Sequence, residues 1–121
     1  MRDIRFRAWA IKQRDMIYNP NLCIVVLQQE LREFDLMQYT GLKDKKGVES
    51  AHFDIANDKY LLYLDLVYGL YLIDISNGAI KRYEEGIINE ITGNYFEQHE
   101  KISANCQRSI DKLISQAGGT M

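Results

Sequence analysis

The 121 residues suffice for one domain of ordinary size and leave no core for a second. An apolar fraction of 46%, a charged fraction of 26% and a formal net charge of −2 are those of a folding globular chain, which excludes intrinsic disorder as its resting state. No apolar run reaches the roughly 20 residues needed to cross a bilayer, and the alternating charges of Met1-Arg2-Asp3-Ile4-Arg5 are unlike the apolar core of a signal peptide, so the expected location is the cytosol, with no membrane partner.

In chain order, the first segment alternates: Ile4, Phe6 and Ala8 fall on one face of a strand, and Arg5, Arg7 and Trp9 on the other. Two guanidinium groups flanking an indole suit an anionic ligand with a ring to stack. The competing reading packs Trp9 under a neighbouring element with the arginine stems over it. Arg2, Arg5, Arg7, Lys12 and Arg14 are offset before residue 15 only by Asp3, which gives this end local positive charge unless Glu30, Glu33 and Asp35 balance it.

Residues 16–18 are placed to pair back with the first strand, Asn19-Pro20-Asn21 is a turn, and 22–27 is a short strand buried on both faces. Residues 36–39 form another strand. The polar run Thr40-Gly41-Leu42-Lys43-Asp44-Lys45-Lys46-Gly47 reads as a loop carrying further positive charge, and such loops often carry function.

Residues 59–75 are long, aromatic and apolar, and predict two paired strands bent near Tyr68-Gly69, with Ser76-Asn77-Gly78 as the next turn. This hairpin is too apolar for one small sheet to cover on both faces, so a second sheet, a helix or another subunit is expected over it, and self-association is favoured. Residues 87–91 predict a last short strand. Beyond Gly93-Asn94 the spacing of Ile102, Cys106, Ile110, Leu113 and Ile114 becomes that of one helical face, ending at Gly118-Gly119. Cys23 and Cys106 read as small buried hydrophobes, since two lone cysteines make neither a disulfide framework nor a zinc set.

The fold class expected is therefore a β-rich α+β domain: a small twisted antiparallel sheet or barrel-like core of short strands with a C-terminal amphipathic helix, residues 1–97 forming the β-rich part and 98–119 the helix, packed on its own domain or on a neighbouring subunit.

Three segments resemble the landmarks of a known family. Ile4-Arg5-Phe6-Arg7-Ala8-Trp9, the run from Leu36-Met37-Gln38-Tyr39 through Gly47, and Ile91-Thr92-Gly93-Asn94 with Glu97 are similar to the YopX family, small proteins of phages and prophages chiefly of Gram-positive bacteria. The resemblance spans about the first four-fifths of the chain. It implies a β-rich, self-associating phage protein and brings no catalytic residues with it. Where the family usually continues Glu-Ile-Tyr-Glu-Gly-Asp-Ile-Val, this chain has Glu49-Ser50-Ala51-His52-Phe53-Asp54-Ile55-Ala56, keeping Glu49, Asp54 and Ile55. Phe53 in place of glycine argues against a tight, positive-φ turn at that position.

The catalytic motifs are missing: no nucleophile elbow, Walker loop, dinucleotide fingerprint or zinc-binding histidine spacing is present. His52 and Asp54, at alternate strand positions, read as a surface hydrogen bond rather than a ligand pair. Binding without chemistry is the expected function, with no cofactor, no metal and no catalytic residue. Arg5, Arg7, Trp9, Tyr39, Thr40 and Lys43 are the expected ligand-binding residues of a homo-oligomer that sequesters an anionic nucleotide-type signal of bacterial antiviral defence. The alternatives are a nucleic-acid-binding or regulatory module of phage replication or transcription, which a pI near 5.7 disfavours, and a protein-interaction module that uses its tyrosines as anchors.

Overall fold

Nine strands and one α-helix make up the regular structure of the computed structural model, which describes residues 5–18, 34–65 and 68–118. The turn expected at Asn19-Pro20-Asn21, the strand at 22–27 and Cys23 lie outside the described residues. Strand β1 (Phe6–Ala10) turns back into β2 (Asp15–Tyr18), closed by the Arg14 N–H donating to the Ala10 carbonyl at 2.8 Å. On the other side of β1 lies β3 (Phe34–Lys43), followed by β4 (Glu49–Ala51), so the first sheet has the order β2-β1-β3-β4. The second sheet, in the order β8-β7-β6-β5-β9, holds β5 (Asp54–Ala56), β6 (Tyr60–Asp65), β7 (Gly69–Asp74), β8 (Ile80–Arg82) and β9 (Ile91–Asn94). All the pairings are antiparallel, and together the sheets form a curled half-barrel.

The chain changes sheets within two residues. The His52 N–H still donates to Gln38 of the first sheet (3.0 Å), while the Phe53 N–H already donates to Leu62 of the second (2.7 Å). A strand that switches sheets needs such a kink, and it is made at Phe53 with φ of +69°. The positive φ that phenylalanine argued against at this position is thus present. The ring packs against His52, Tyr63, Tyr95 and Phe96, and those contacts hold a backbone that a side chain otherwise avoids.

Two further boundaries differ from the sequence reading. Thr40 to Lys43 continue β3 instead of forming a loop, because Gly41 (φ +85°) makes a bulge that sets the register at Tyr39↔Ala51 and then Lys43↔Glu49. The loop contracts to 44–48, and the Asp44 carboxylate ties it down by accepting from the backbone N–H groups of Lys46, Val48 and Ile91. The last strand begins at Ile91 rather than ending there. Residues 87–90 are held by one side chain in place of a ladder partner: Asn57 donates to the Ile87 carbonyl and accepts from the N–H groups of Asn89 and Glu90, while the Asn89 and Glu90 carbonyls accept from the backbone N–H groups of Lys45 and Asn57.

After a 3-10 turn at His99–Lys101, helix α1 (Ala104–Gly118) starts where the Ser103 hydroxyl accepts from the Cys106 N–H at 3.0 Å, an N-cap bond. Cys106 and Ile110 are buried against Ile55, Leu61, Tyr63, Ile73 and Ile75, with Ile102 and Leu113 packed beside them. The helix therefore covers its own second sheet. Ile114, expected on the same buried face, is 49% exposed.

Candidate functional site

Arg7 and Trp9 do share a face of β1, and that face turns inward toward the second sheet. The Arg7 guanidinium meets the Asp54 carboxylate of β5 at 2.7 Å, with the two side chains only 6% and 3% exposed. The same Nη2 also donates to the His52 carbonyl at 3.1 Å, and the second Asp54 oxygen accepts from the Ala51 N–H at 2.8 Å. Burial pushes the Asp54 carboxyl up, and the Arg7 charge opposes that shift. Arg7 Nε is a buried donor with no hydrogen-bond partner among the described residues, an expensive condition in a protein interior.

Above this pair opens a cleft of about 420 Å³, within the usual range of small-molecule sites. Tyr18, Tyr39, Val48 and Glu49 form one wall and residues 91–94 of β9 the other. Asn94 is buried, and its Oδ1 accepts from the N–H groups of Phe96 (3.0 Å) and Glu97 (2.9 Å). That fixes the amide's orientation and leaves Nδ2 as a donor with no acceptor among the described residues. Thr92, by contrast, is committed: its hydroxyl donates to the Ile55 carbonyl and accepts from the Asp58 N–H. Beside the mouth, Arg5 pairs with Glu49 and lies over the Tyr39 ring, 5.4 Å from its centroid. Burial raises the Tyr39 phenol's pKa, and the nearby Arg7 charge offsets part of this.

The structure thus brings together Arg5, Arg7 and Tyr39 of the residues expected from sequence. Trp9 is a correction: it is 8% exposed, stacked on Phe96 at 5.3 Å and packed with Met16 and Met37, so no ring face is left for a ligand. Thr40 is a second correction, because its hydroxyl bonds Ser50 and the Leu42 N–H and braces the β3 bulge. Lys43, at the end of β3, is exposed and does not line the cleft.

Sequence reasoning did not find Tyr18, Glu49, Asp54 and Asn94 as cleft residues. The available signal lay in the resemblance noted from sequence, in which Glu49 and Asp54 are two of the three matching positions of the central segment and Asn94 belongs to the third segment. Residues from all three landmarks meet in this cleft.

His52 and Asp54 do not bond each other. His52 Nδ1 accepts from the Leu64 N–H at 2.9 Å, and its ring stacks on Phe53 and meets Tyr63 edge-on. Burial, with Arg7 nearby, lowers its pKa from 6.5 to about 4, so the imidazole is neutral at pH 7. Cys106 is buried, and burial pushes its thiol up to about 11, as for an inert core cysteine. Among the described residues no three His, Cys, Asp or Glu side chains are grouped to hold a metal ion, and no helix is long and apolar enough to cross a membrane. No family model matches the chain, and no curated protein matches it.

Proposed function

We propose that this is a binding protein that holds a small anionic molecule of the nucleotide type in the corner cleft and does no chemistry on it. The observation that carries this is a cleft walled by Tyr18 and Tyr39 that the buried Arg7 guanidinium and the Asn94 amide both line. Phosphate oxygens accept from amide and guanidinium N–H groups, and a base supplies a face for a tyrosine ring. Arg5 and Arg7 are balanced by Glu49 and Asp54. Affinity therefore rests on hydrogen bonds and stacking more than on net charge. The resemblance to the YopX family supports a phage or prophage origin. In that setting a homo-oligomer with no chemistry of its own acts by sequestration, as of a nucleotide signal of antiviral defence.

The test is calorimetric titration of the full chain with a panel of linear and cyclic mono- and dinucleotides, alongside native mass spectrometry of protein taken from cells with an active nucleotide-signalling defence. Saturable binding of at least one nucleotide is expected, weakened at least about tenfold by Asn94→Asp, which keeps the Oδ1 bonds and replaces the free donor by an acceptor. Tyr39→Ala weakens binding similarly. A protein that carries no small molecule from those cells and binds no nucleotide in the panel overturns the reading.

A further inference from the structure

Behind the first cleft lies another, of about 220 Å³, between β3, the sheet corner and α1. The buried side chains of Met37 and Ile110 form its base, and His52, Phe53 and Phe96 its aromatic wall. The exposed Asp35 and the half-exposed Ile114 complete the lining.

Apart from Asp35 and His52, the polar side chains lining this cleft are committed to hydrogen bonds. Gln107 accepts from the Tyr95 hydroxyl at 2.7 Å and donates to Asp111 at 3.0 Å. His52 differs. Because its Nδ1 accepts from the Leu64 N–H, the neutral ring carries its proton on Nε2, and Nε2 has no acceptor among the described residues. The ring cannot turn that donor elsewhere without losing the Leu64 bond and its stacking on Phe53 at 4.0 Å. The site therefore sets one oriented donor beside the rings of Phe53 and Phe96, on a lining that mixes polar and apolar groups, with the Asp35 carboxylate nearby to repel anions.

We infer a second ligand site here, for a small uncharged aromatic molecule with a hydrogen-bond acceptor that receives the His52 Nε2 proton. The inference does not depend on the nucleotide reading of the first cleft. The sites are back to back across three consecutive residues: His52 and Phe53 line this cleft and Asp54 the other. The His52 carbonyl that accepts from Arg7 is the direct link between them.

The experiment is an amide ¹H–¹⁵N titration of the full chain with acetophenone (aromatic, neutral, with an acceptor), toluene (no acceptor) and benzoate (anionic). Acetophenone is expected to give saturable shifts at Leu64, Phe53 and Phe96, about fivefold tighter than toluene, the worth of one net hydrogen bond, and benzoate is expected not to saturate. His52→Phe should bring acetophenone to the toluene level. Ile114→Trp, at a half-exposed position that leaves the core intact, should block the cleft and abolish saturation. Imidazole ¹⁵N shifts should show the proton on Nε2. Equal binding of acetophenone and toluene, saturation by benzoate, a proton on Nδ1, or shifts confined to Tyr39 and Asn94 would each overturn the assignment.

Discussion

The guanidinium of Arg7, on the first sheet, and the carboxylate of Asp54, on the second, meet at 2.7 Å almost wholly out of water, and this ion pair ties the two sheets together. Removing one partner strands the other charge in a poorly solvated place, which costs about 3–5 kcal/mol, whereas replacing both by apolar groups is often close to neutral. Arg7→Met and Asp54→Leu are each expected to lower unfolding free energy by about that amount in urea titrations. The double variant should recover most of the loss and still fail to bind nucleotide. A double variant as unstable as the sum of the singles would show that the pair is not coupled.

His52 makes stability pH-dependent. Its pKa is about 4 in the folded protein against an ordinary 6.5, so between these values the unfolded chain binds a proton that the native one does not. The stabilisation is full above pH 6.5, falls as the pH drops toward 4 and is level below that, a loss of up to about 3 kcal/mol. Asp54, raised by burial, contributes a slope of opposite sign in the carboxylate range, and comparison with His52→Gln cancels it. Chemical denaturation at pH 7.5 and 5 is expected to show a smaller fall in His52→Gln than in the parent.

Two left-handed residues should answer differently to glycine. Arg14 (φ +54°) is exposed in the β1–β2 turn, and Arg14→Gly is expected to stabilise by about 0.5 kcal/mol through relief of backbone strain. Phe53 (φ +69°) gains the same relief but loses a ring packed on four neighbours, so Phe53→Gly should destabilise by about 2 kcal/mol. Thermal or urea unfolding of both variants checks the difference in sign.

Gly78 is where α1 touches the turn after β7. Its φ is +80°, a Cβ there would lie 2.7 Å from the Asn105 carbonyl carbon, and its own carbonyl accepts from Ser109. Gly78→Ala is expected to cost about 2 kcal/mol, combining backbone strain with displacement of helix backbone that cannot rotate aside. Amide exchange should show the loss concentrated in α1. Unchanged protection there would mean that the helix is held by its packing on the second sheet and not by this contact.

Much of the architecture was readable because it is set by short-range chemistry. Alternation placed β1, the β6–β7 hairpin and its bend at Gly69, and the Ser76-Asn77-Gly78 turn. The spacing of Cys106 and Ile110 gave the helix its buried face. Each of these depends on residues within a few positions of one another. The misplaced boundaries arose where one side chain took over a ladder's role, as Asn57 does for residues 87–90, or where a bulge at Gly41 let a polar run stay in a strand.

The site was legible in its parts and not in its assembly. Alternation along β1 established that Arg7 and Trp9 share a face, but it carries no information on which face is covered, so the sequence alone left Trp9 open as a ligand platform. That choice was made by Asp54 and Phe96, 47 and 87 positions further on, which reach β1 only because the chain changes sheets at His52-Phe53. Arg7 acquired a buried carboxylate and Trp9 a stacked ring. The reason is physical: strand period and turn type are local properties of the chain, whereas burial, charge pairing and unpartnered donors depend on contacts that exist only once distant segments have packed.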